Sequence, residues 1–393
     1  MDIDAPARGI PLVPGDEERL LRDAVSDLAG RYGHRYFAEQ VASGGAAEEL
    51  WDELAAGGYV GAGLPEEHGG GGGGMADAVV VVEELAAHGM PLLIWVISPA
   101  ICGSILASHA SPDMKRRWLP GIADGSKKMA FGLTEPDAGS NSHNIATTAR
   151  RTESGWAITG SKYYISAVDQ ADAILLITRD ADLSTPEKNR LSIFVVPTDA
   201  PGLSLQPIET SIVSPDRQFT VFLDDVHVGE DALVGAAGDG LKQVFAGLNP
   251  ERILVGALSS GIGRYAIDRA CDYARERQVW SQPVGAHQGV AHPLAECHIN
   301  VELGRLATRR SAELFDAGTP AGEAANMAKF AASEAALAAL DQAIQTHGGN
   351  GLSREYGLSE LWFVARLMRT APVSREMVLN FVAQTSLGLP RSY

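Results

Sequence analysis

The chain has 393 residues, of which 45% are hydrophobic and 21% charged, with a formal net charge of −17. This length predicts two or three globular domains with sizeable cores. The acidic balance argues against binding to nucleic acid or to an anionic membrane, since clustered Lys and Arg bind both, and no apolar run is long enough to span a bilayer.

Residues 16–127 have the apolar spacing of helices. Leu20, Leu21, Val25 and Leu28 recur at helical intervals after Asp16. Further helices are predicted over about 46–57, from near Met75, and around the breaks at Pro91 and Pro112. Six consecutive glycines at 69–74 follow no strand, so they indicate a flexible loop between helices rather than a dinucleotide-binding turn.

From Lys128 to about Val234 the pattern changes to short runs bounded by turn residues. This alternation is typical of antiparallel strands. The runs begin at Trp156, Ala173, Leu191 and Phe219.

Beyond Asp239 the helical period returns, with Ala- and Leu-rich segments at 250–278 and 320–347. The predicted fold class is therefore α+β. We expect an N-terminal helical domain (1–127), a middle antiparallel β domain (128–234) and a C-terminal helical domain (235–393) built as a four-helix bundle.

Two loops inside the strand-rich region combine turn formers with hydroxyl side chains. They are Leu133–Ser140 and Gly160–Ser166. Strands position such loops firmly, and their backbone N–H groups and hydroxyls suit a large polar ligand that carries phosphate. The pair predicts a cofactor site.

The cysteine and histidine positions indicate no metal site. The three cysteines are widely spaced, which predicts reduced thiols in a cytoplasmic protein. The cluster of His287, His292, Cys297 and His298 does not have the spacing of common zinc sites.

Glu251 has two interpretations from its local sequence. Asn249 suits a helix N-cap and Pro250 the first helical position, which would place Glu251 in a first turn, where the helix dipole favours acidic residues. On composition alone, this structural role is favoured over a catalytic one.

Several separated motifs, in order, resemble those of the acyl-CoA dehydrogenases. They are Ala130–Ser140, Gly160–Ser166, Arg277–Trp280, His287–Gln288 and Gln345–Gly351. The resemblance covers nearly the whole chain. It implies α,β-dehydrogenation of an acyl thioester, in which a carboxylate removes the α-proton and FAD accepts the β-hydrogen as hydride.

The resemblance also implies a role for individual residues. FAD would contact Leu133 and Thr134 at the pyrimidine end, Tyr164 at the ring, Ser166 near N5, and Arg277, Trp280, Gln288, Gln345, Gly348 and Gly349 at the diphosphate and adenosine portion. Ser140 and Arg252 match positions that meet the thioester's pantetheine arm or nucleotide. A homotetramer, with a dimer as the alternative, and an electron-transfer flavoprotein as electron acceptor are the implied partners.

The chain departs from the common family pattern at the base. Pro372 stands where many relatives carry the catalytic glutamate, and proline cannot abstract a proton. A branch that includes enzymes resembling isovaleryl-CoA and long-chain acyl-CoA dehydrogenases places the base before an arginine on a long helix, as in Glu251–Arg252. The resemblance therefore implies that Glu251 is the base, with Glu376 as its nearest rival in sequence.

Pro372 also lacks the backbone N–H that helps to bind the thioester carbonyl in the commoner branch. A ribityl hydroxyl of FAD, a donor at Val373, or a different reaction would each account for this. The alternative functions are a dehydrogenase or oxidase acting on an acyl-carrier-protein thioester, and a non-catalytic relative.

Overall fold

The computed structural model describes residues 14–185 and 188–391. Its amino-terminal part is helical, as predicted. The helices are α1 (Asp16–Gly30), α2 (Gly33–Ser43), α3 (Glu48–Ala56), α4 (Gly74–Ala87), α5 (Leu93–Trp95), α6 (Ser104–His109) and α7 (Pro112–Ala123). A π-helix over Val96–Gly103, which contains Pro99, joins α5 to α6.

The middle part is a sheet. Its strands are β1 (Met129–Gly132), β2 (Thr148–Thr152), β3 (Gly155–Ser166), β4 (Ala173–Asp180), β5 (Leu191–Pro197), β6 (Leu203–Ile208), β7 (Gln218–Gly229) and β8 (Leu233–Val234). The order is β6-β7-β3-β2-β4-β5-β8, and β1 pairs with β4. Most neighbouring strands are antiparallel, but β1 and β2 both run parallel to β4. The chain reverses direction in the β2–β3 hairpin and again before β4, so β4 runs in the same direction as β2.

Side chains of the central strands alternate between two cores. Leu175 and Ile177 of β4 pack in one cluster with side chains of α6 and α7. Ile174 and Leu176, one residue out of step, pack on the other face against Phe194 and other side chains of the sheet. Because side chains alternate between the two faces of a strand, one face of the sheet packs against the amino-terminal helices. The loops at the edge of the sheet remain free for a ligand.

The carboxyl-terminal part returns to helices. They are α8 (Gly240–Glu276), α9 (Gln288–Asp316), α10 (Gly322–His347), α11 (Trp362–Thr370) and α12 (Arg375–Phe381). A short hairpin of β9 (Gln278–Val279) and β10 (Gln282–Pro283) precedes α9. Close packing of α9 on α10 depends on Gly304, where a Cβ would lie 2.9 Å from Cα of Ala332.

One expectation about α8 is wrong. Asn249 is not an N-cap and Pro250 is not the first helical residue, since the helix begins ten residues earlier at Gly240. The missing N–H of Pro250 removes one hydrogen bond inside the helix, but Pro250 is buried and the packing of α8 maintains the helix through it. Glu251 therefore lies well inside a long helix, where the dipole gives an acidic residue no particular advantage.

A buried ion network attaches the amino-terminal helices to the carboxyl-terminal ones. Glu83 and Glu84 of α4 are almost inaccessible to solvent. Glu83 is 2.6 Å from Arg264 of α8 and 2.7 Å from Arg305 of α9, and Arg22 of α1 contacts both carboxylates. Three arginines around two carboxylates compensate their burial, so this network fixes α8, which carries Glu251, against α4.

Candidate active site

The two predicted cofactor loops are joined by a buried ion pair. Nζ of Lys162 lies 2.8 Å from Oε1 of Glu135 and donates a second hydrogen bond to the carbonyl of Leu133 at 3.1 Å. Burial alone would raise the pKa of Glu135, but the Lys162 ammonium and the N–H groups of Ala146 and Thr147 lower it. The pair holds Leu133 and Thr134 beside the strand that carries Tyr164 and Ser166.

Tyr164 and Ser166 lie at the end of β3, facing an open region. Tyr164 has a φ of 57° and its side chain is 52% exposed. A bulky residue at positive φ is uncommon, and such residues cluster at active sites and at sites that hold ligands. The hydroxyl of Ser166 donates to Oε1 of Gln218 at 2.9 Å. Ser140 is exposed on the loop after Thr134.

Glu251 and Arg252 lie on α8, and both are half-buried. Burial raises the pKa of Glu251 to about 7, although the charges of Arg252 and Lys329 act in the opposite direction. Arg252 donates to Oδ1 of Asn249 at 3.1 Å, and its buried Nε has no hydrogen-bond partner among the residues that the structure describes. A carboxylate that titrates near neutrality beside a guanidinium with an unused donor suits proton abstraction next to an anionic ligand.

The π-helix connects Glu251 to the cofactor loops. Cys102, on this helix, lies against the carbonyl of Ala130 in β1 at 3.6 Å. Burial raises the pKa of the Cys102 thiol, and the charge of the Glu251 carboxylate raises it further. Because β1 leads directly into Leu133, the π-helix packs against the strand that precedes the first cofactor loop.

The remaining predicted cofactor residues form a separate group at the far end of α8. Arg277 ends this helix, and Trp280 follows in the hairpin with a φ of 50° and 86% of its side chain exposed. Gln288, the first residue of α9, is also exposed.

The end of α10 contributes the rest of this group. Its His347 ring stacks on Tyr273 of α8 at 4.2 Å between centroids. Gln345, Gly348 and Gly349 are exposed beside it, and a Cβ on either glycine would meet nothing within 4 Å. The backbone there is open to the approach of a ligand.

The two groups are too far apart within one chain to share one end of a ligand. At a rise of about 1.5 Å per residue, the helix from Glu251 to Arg277 covers roughly 39 Å. The structure therefore brings Leu133, Thr134, Tyr164 and Ser166 together, and Glu251 with Arg252, but places the Arg277 group elsewhere on the subunit.

Comparison with known proteins decides the family. The N-terminal, middle and C-terminal domain models of acyl-CoA dehydrogenases match residues 15–126, 130–226 and 238–387. The acyl-CoA dehydrogenase FadE12 of Mycobacterium tuberculosis is 56% identical over 97% of this chain and 98% of its own length. The chain belongs to the acyl-CoA dehydrogenase family. The resemblance and the predicted α+β fold class are thereby confirmed.

Other relatives support this membership. A probable acyl-CoA dehydrogenase of Bacillus subtilis, YngJ, is 31% identical over 94% of this chain and 98% of its own. A glutaryl-coenzyme A dehydrogenase solved with glutaryl-CoA superposes with a TM-score of 0.91 at 26% identity, covering 97% of both chains. The chain is thus an FAD-dependent acyl-CoA dehydrogenase.

The residues present fit an FAD. The exposed Tyr164 ring beside the loop that the Lys162–Glu135 pair anchors offers a platform for a planar ring system. The exposed Arg277 and Trp280 and the open backbone at Gly348 and Gly349 suit a diphosphate and a second aromatic base.

No helix of the described residues is long and apolar enough to cross a membrane.

A surface cavity of about 500 Å³ between α7 and the sheet contains none of the predicted site residues. Arg117, Trp118 and His227 contribute to its lining. Because neither Glu251 nor any residue of the two cofactor loops lines it, we assign it no part in the reaction.

Sequence reasoning missed the residues that hold the site together. Glu135 and Lys162 lie inside the two motifs but were not recognised as a pair. Lys329 on α10 was also missed, although its position among Ala325, Ala328 and Ala332 places a charge on the buried face of the helix, which is a readable signal.

Proposed function

We propose that Glu251 is the base in the α,β-dehydrogenation of an acyl-CoA thioester. The observation that carries this assignment is a half-buried carboxylate on α8, followed directly by Arg252, whose pKa burial raises to about 7. A carboxylate with that pKa is a far stronger base than one in water, and about half of it is still ionised at neutral pH. This arrangement supports membership of the branch with the base on the long helix.

The rival carboxylate lacks these properties. Glu376 lies on α12 and its side chain is 73% exposed, so water stabilises its charge. Pro372 has no acidic group. Of the two family positions for the base, 251 and 372, only the first carries a carboxylate, and it is more buried than that of Glu376.

The chain's residues divide the work of the reaction. Glu251 accepts the α-proton on its carboxylate, and Arg252, with its unused Nε donor, binds an anionic part of the substrate together with Ser140. Tyr164 and Ser166, on the loops fixed by Lys162 and Glu135, orient the cofactor ring. FAD, when bound, accepts the β-hydrogen as hydride. The relatives that carry coenzyme A esters in their names support acyl-CoA over a carrier-protein thioester.

The partners follow from exposed surfaces and from the family. The roughly 39 Å between Glu251 and Arg277 supports a homotetramer in which Arg277, Trp280, Gln288, Gln345, Gly348 and Gly349 of one subunit complete the cofactor site of another. An electron-transfer flavoprotein is the proposed electron acceptor. The three unpaired cysteines support a reducing, cytoplasmic location.

The test of the base is Glu251→Gln in the FAD-bound enzyme. The variant should remain yellow, because no proposed flavin contact is lost, and anaerobic flavin reduction by a good acyl-CoA should slow by roughly 10²- to 10⁴-fold. Glu376→Gln is the matched control and should keep the wild-type rate. Wild-type reduction in Glu251→Gln, or loss of reduction in Glu376→Gln instead, would overturn the assignment.

A further inference from the structure

Lys329 is a buried ammonium group that the reaction described above does not use. It lies on α10 with 1% of its surface exposed, surrounded on its helix face by alanines. Placing a charge there is costly unless hydrogen bonds and opposite charges compensate it. Its partners therefore indicate what it holds in place.

Two backbone carbonyls on either side of Pro372 are its hydrogen-bond partners. Nζ of Lys329 donates to the carbonyl of Val373 at 2.7 Å and to that of Arg369, near the end of α11, at 3.3 Å. The turn from α11 to α12 runs between these carbonyls. Since Pro372 has no N–H of its own to anchor the turn, the lysine provides an attachment from the helix beneath it.

The same ammonium acts electrostatically on the proposed base. Lys329 interacts electrostatically with Glu251 and Arg252 of α8, with Glu334 of its own helix and with Glu376 of α12. The charges of Arg252 and Lys329 both lower the pKa of Glu251 against the effect of burial. Lys329 therefore binds the turn at Pro372 through hydrogen bonds and also stabilises the ionised form of Glu251.

We propose that Lys329 is a positioning residue of the dehydrogenation, which clamps the turn on both sides of Pro372 and whose positive charge acts on the carboxylate of Glu251. This inference rests on the proposed role of Glu251. The ammonium stabilises the ionised carboxylate, so it keeps the base in its active form at a lower pH than enclosure alone would allow.

The pH profile separates this role from simple structural support. Without the charge, the pKa of Glu251 rises. The acid limb of the pH profile, over which kcat/KM falls as pH decreases, should therefore move to higher pH by about one unit. At pH 6.5, kcat/KM should fall several-fold. Lys329→Met removes both the charge and the hydrogen bonds. Lys329→Gln retains a donor for Val373 without the charge, and it serves if Lys329→Met does not fold. Lys329→Arg keeps the charge, so its acid limb should lie at the same pH as in the wild type.

The matched control is Glu334→Gln. Glu334 lies 2.7 Å from Arg369 and 3.0 Å from Arg375, so it stabilises the same turn without facing Glu251. This variant should lower the melting temperature but leave the acid limb within about 0.3 pH units of the wild type. We would measure kcat/KM against pH and thermal unfolding for the whole set of variants.

Two outcomes are distinguishable. A wild-type acid limb in Lys329→Gln and Lys329→Met, with only a lowered melting temperature, would overturn the positioning role and leave Glu251 as the base. Wild-type flavin reduction in Glu251→Gln would instead overturn the proposed function, whatever the lysine variants do.

Discussion

At the scale of single residues, the site depends on three charged side chains that are shielded from water to different degrees. Lys162 and Lys329 are buried, and Glu251 is half-buried. Lys162 is compensated by the Glu135 carboxylate, Lys329 by two backbone carbonyls, and Glu251 by the charges of Arg252 and Lys329. The pKa of Glu251 is raised despite those two cations, as expected if the altered pKa serves catalysis.

Lys162→Met should detach the two cofactor loops from each other. It leaves the Glu135 carboxylate buried without its cation, and breaking such a pair costs about 3–5 kcal/mol. We expect a lower melting temperature and a reduced FAD content per chain, measured by thermal unfolding and by flavin absorbance.

The control for this prediction is Glu230→Gln. The Arg151–Glu230 pair in the same sheet is exposed on both sides, so its loss should cost no more than about 1 kcal/mol. Full flavin content in purified Lys162→Met would contradict the role given to the pair.

At the scale of elements, the segment from α5 through the π-helix to α6 separates the base from the cofactor loops. Its start is fixed by Asp216, whose Oδ2 accepts the N–H of Leu93 at 2.6 Å and that of Ile94 at 3.1 Å. Cys102, further along the segment, packs against β1, and the charge of Glu251 acts on its thiol. We therefore propose that the anchor at Asp216 helps to position the base relative to the cofactor loops.

Asp216→Ala should loosen that segment. Two buried N–H groups lose their acceptor, which costs roughly 1–3 kcal/mol of unfolding free energy. The KM for an acyl-CoA should rise more than kcat falls, because Glu251 itself is untouched. Asp216→Asn keeps one oxygen acceptor and should lie between the wild type and Asp216→Ala. Identical KM values for all three proteins would show that the anchor has no effect on the site.

The sequence predicted most elements and little of their connections. Helix and strand periods located both helical parts and the main strands, because those patterns are local. The start of α8 was missed, since Asn249 and Pro250 imitate a helix start and only the packing of α8 continues the helix through them. The parallel pairing of β1 with β4 and the contact of Lys329 with Val373 join residues 44 apart in the chain, and no local pattern encodes such contacts.

The residues of the candidate site were predicted from the resemblance to acyl-CoA dehydrogenases rather than from the spacing of apolar residues. The motifs located Leu133, Tyr164 and the Glu251–Arg252 pair, and the structure adds the physical reasons for their placement. Composition alone favoured a structural role for Glu251. The raised pKa, visible only once the enclosing helices are in place, favours the catalytic one.

At the scale of the whole molecule, the surface suggests that a single subunit is incomplete. Exposed apolar side chains occur on the carboxyl-terminal helices, including Ile299 and Leu303 one turn apart on α9, each 57% exposed. Together with the distant Arg277 group, they support assembly into a tetramer. Burial of such side chains between subunits contributes favourably through the hydrophobic effect.

Ile299→Glu combined with Leu303→Glu should therefore shift the proposed tetramer to smaller species, measured by light scattering coupled to gel filtration. FAD should be lost at the same time if the Arg277 group serves a neighbouring subunit. Leu20→Glu, at a site 70% exposed on α1, is the control and should leave assembly unchanged. Dissociated subunits that retain one FAD each would contradict the shared cofactor site.

The most direct test of Glu251 as the base is the rate of anaerobic flavin reduction by an acyl-CoA, measured from pH 5.5 to 9. Because Glu251 must be ionised to accept the α-proton, the rate of the wild-type enzyme should fall as pH decreases through about 7. Glu251→Gln should be slow throughout and show no such limb. A wild-type rate that is independent of pH over this range, or the same limb retained in Glu251→Gln, would contradict the assignment of Glu251 as the base.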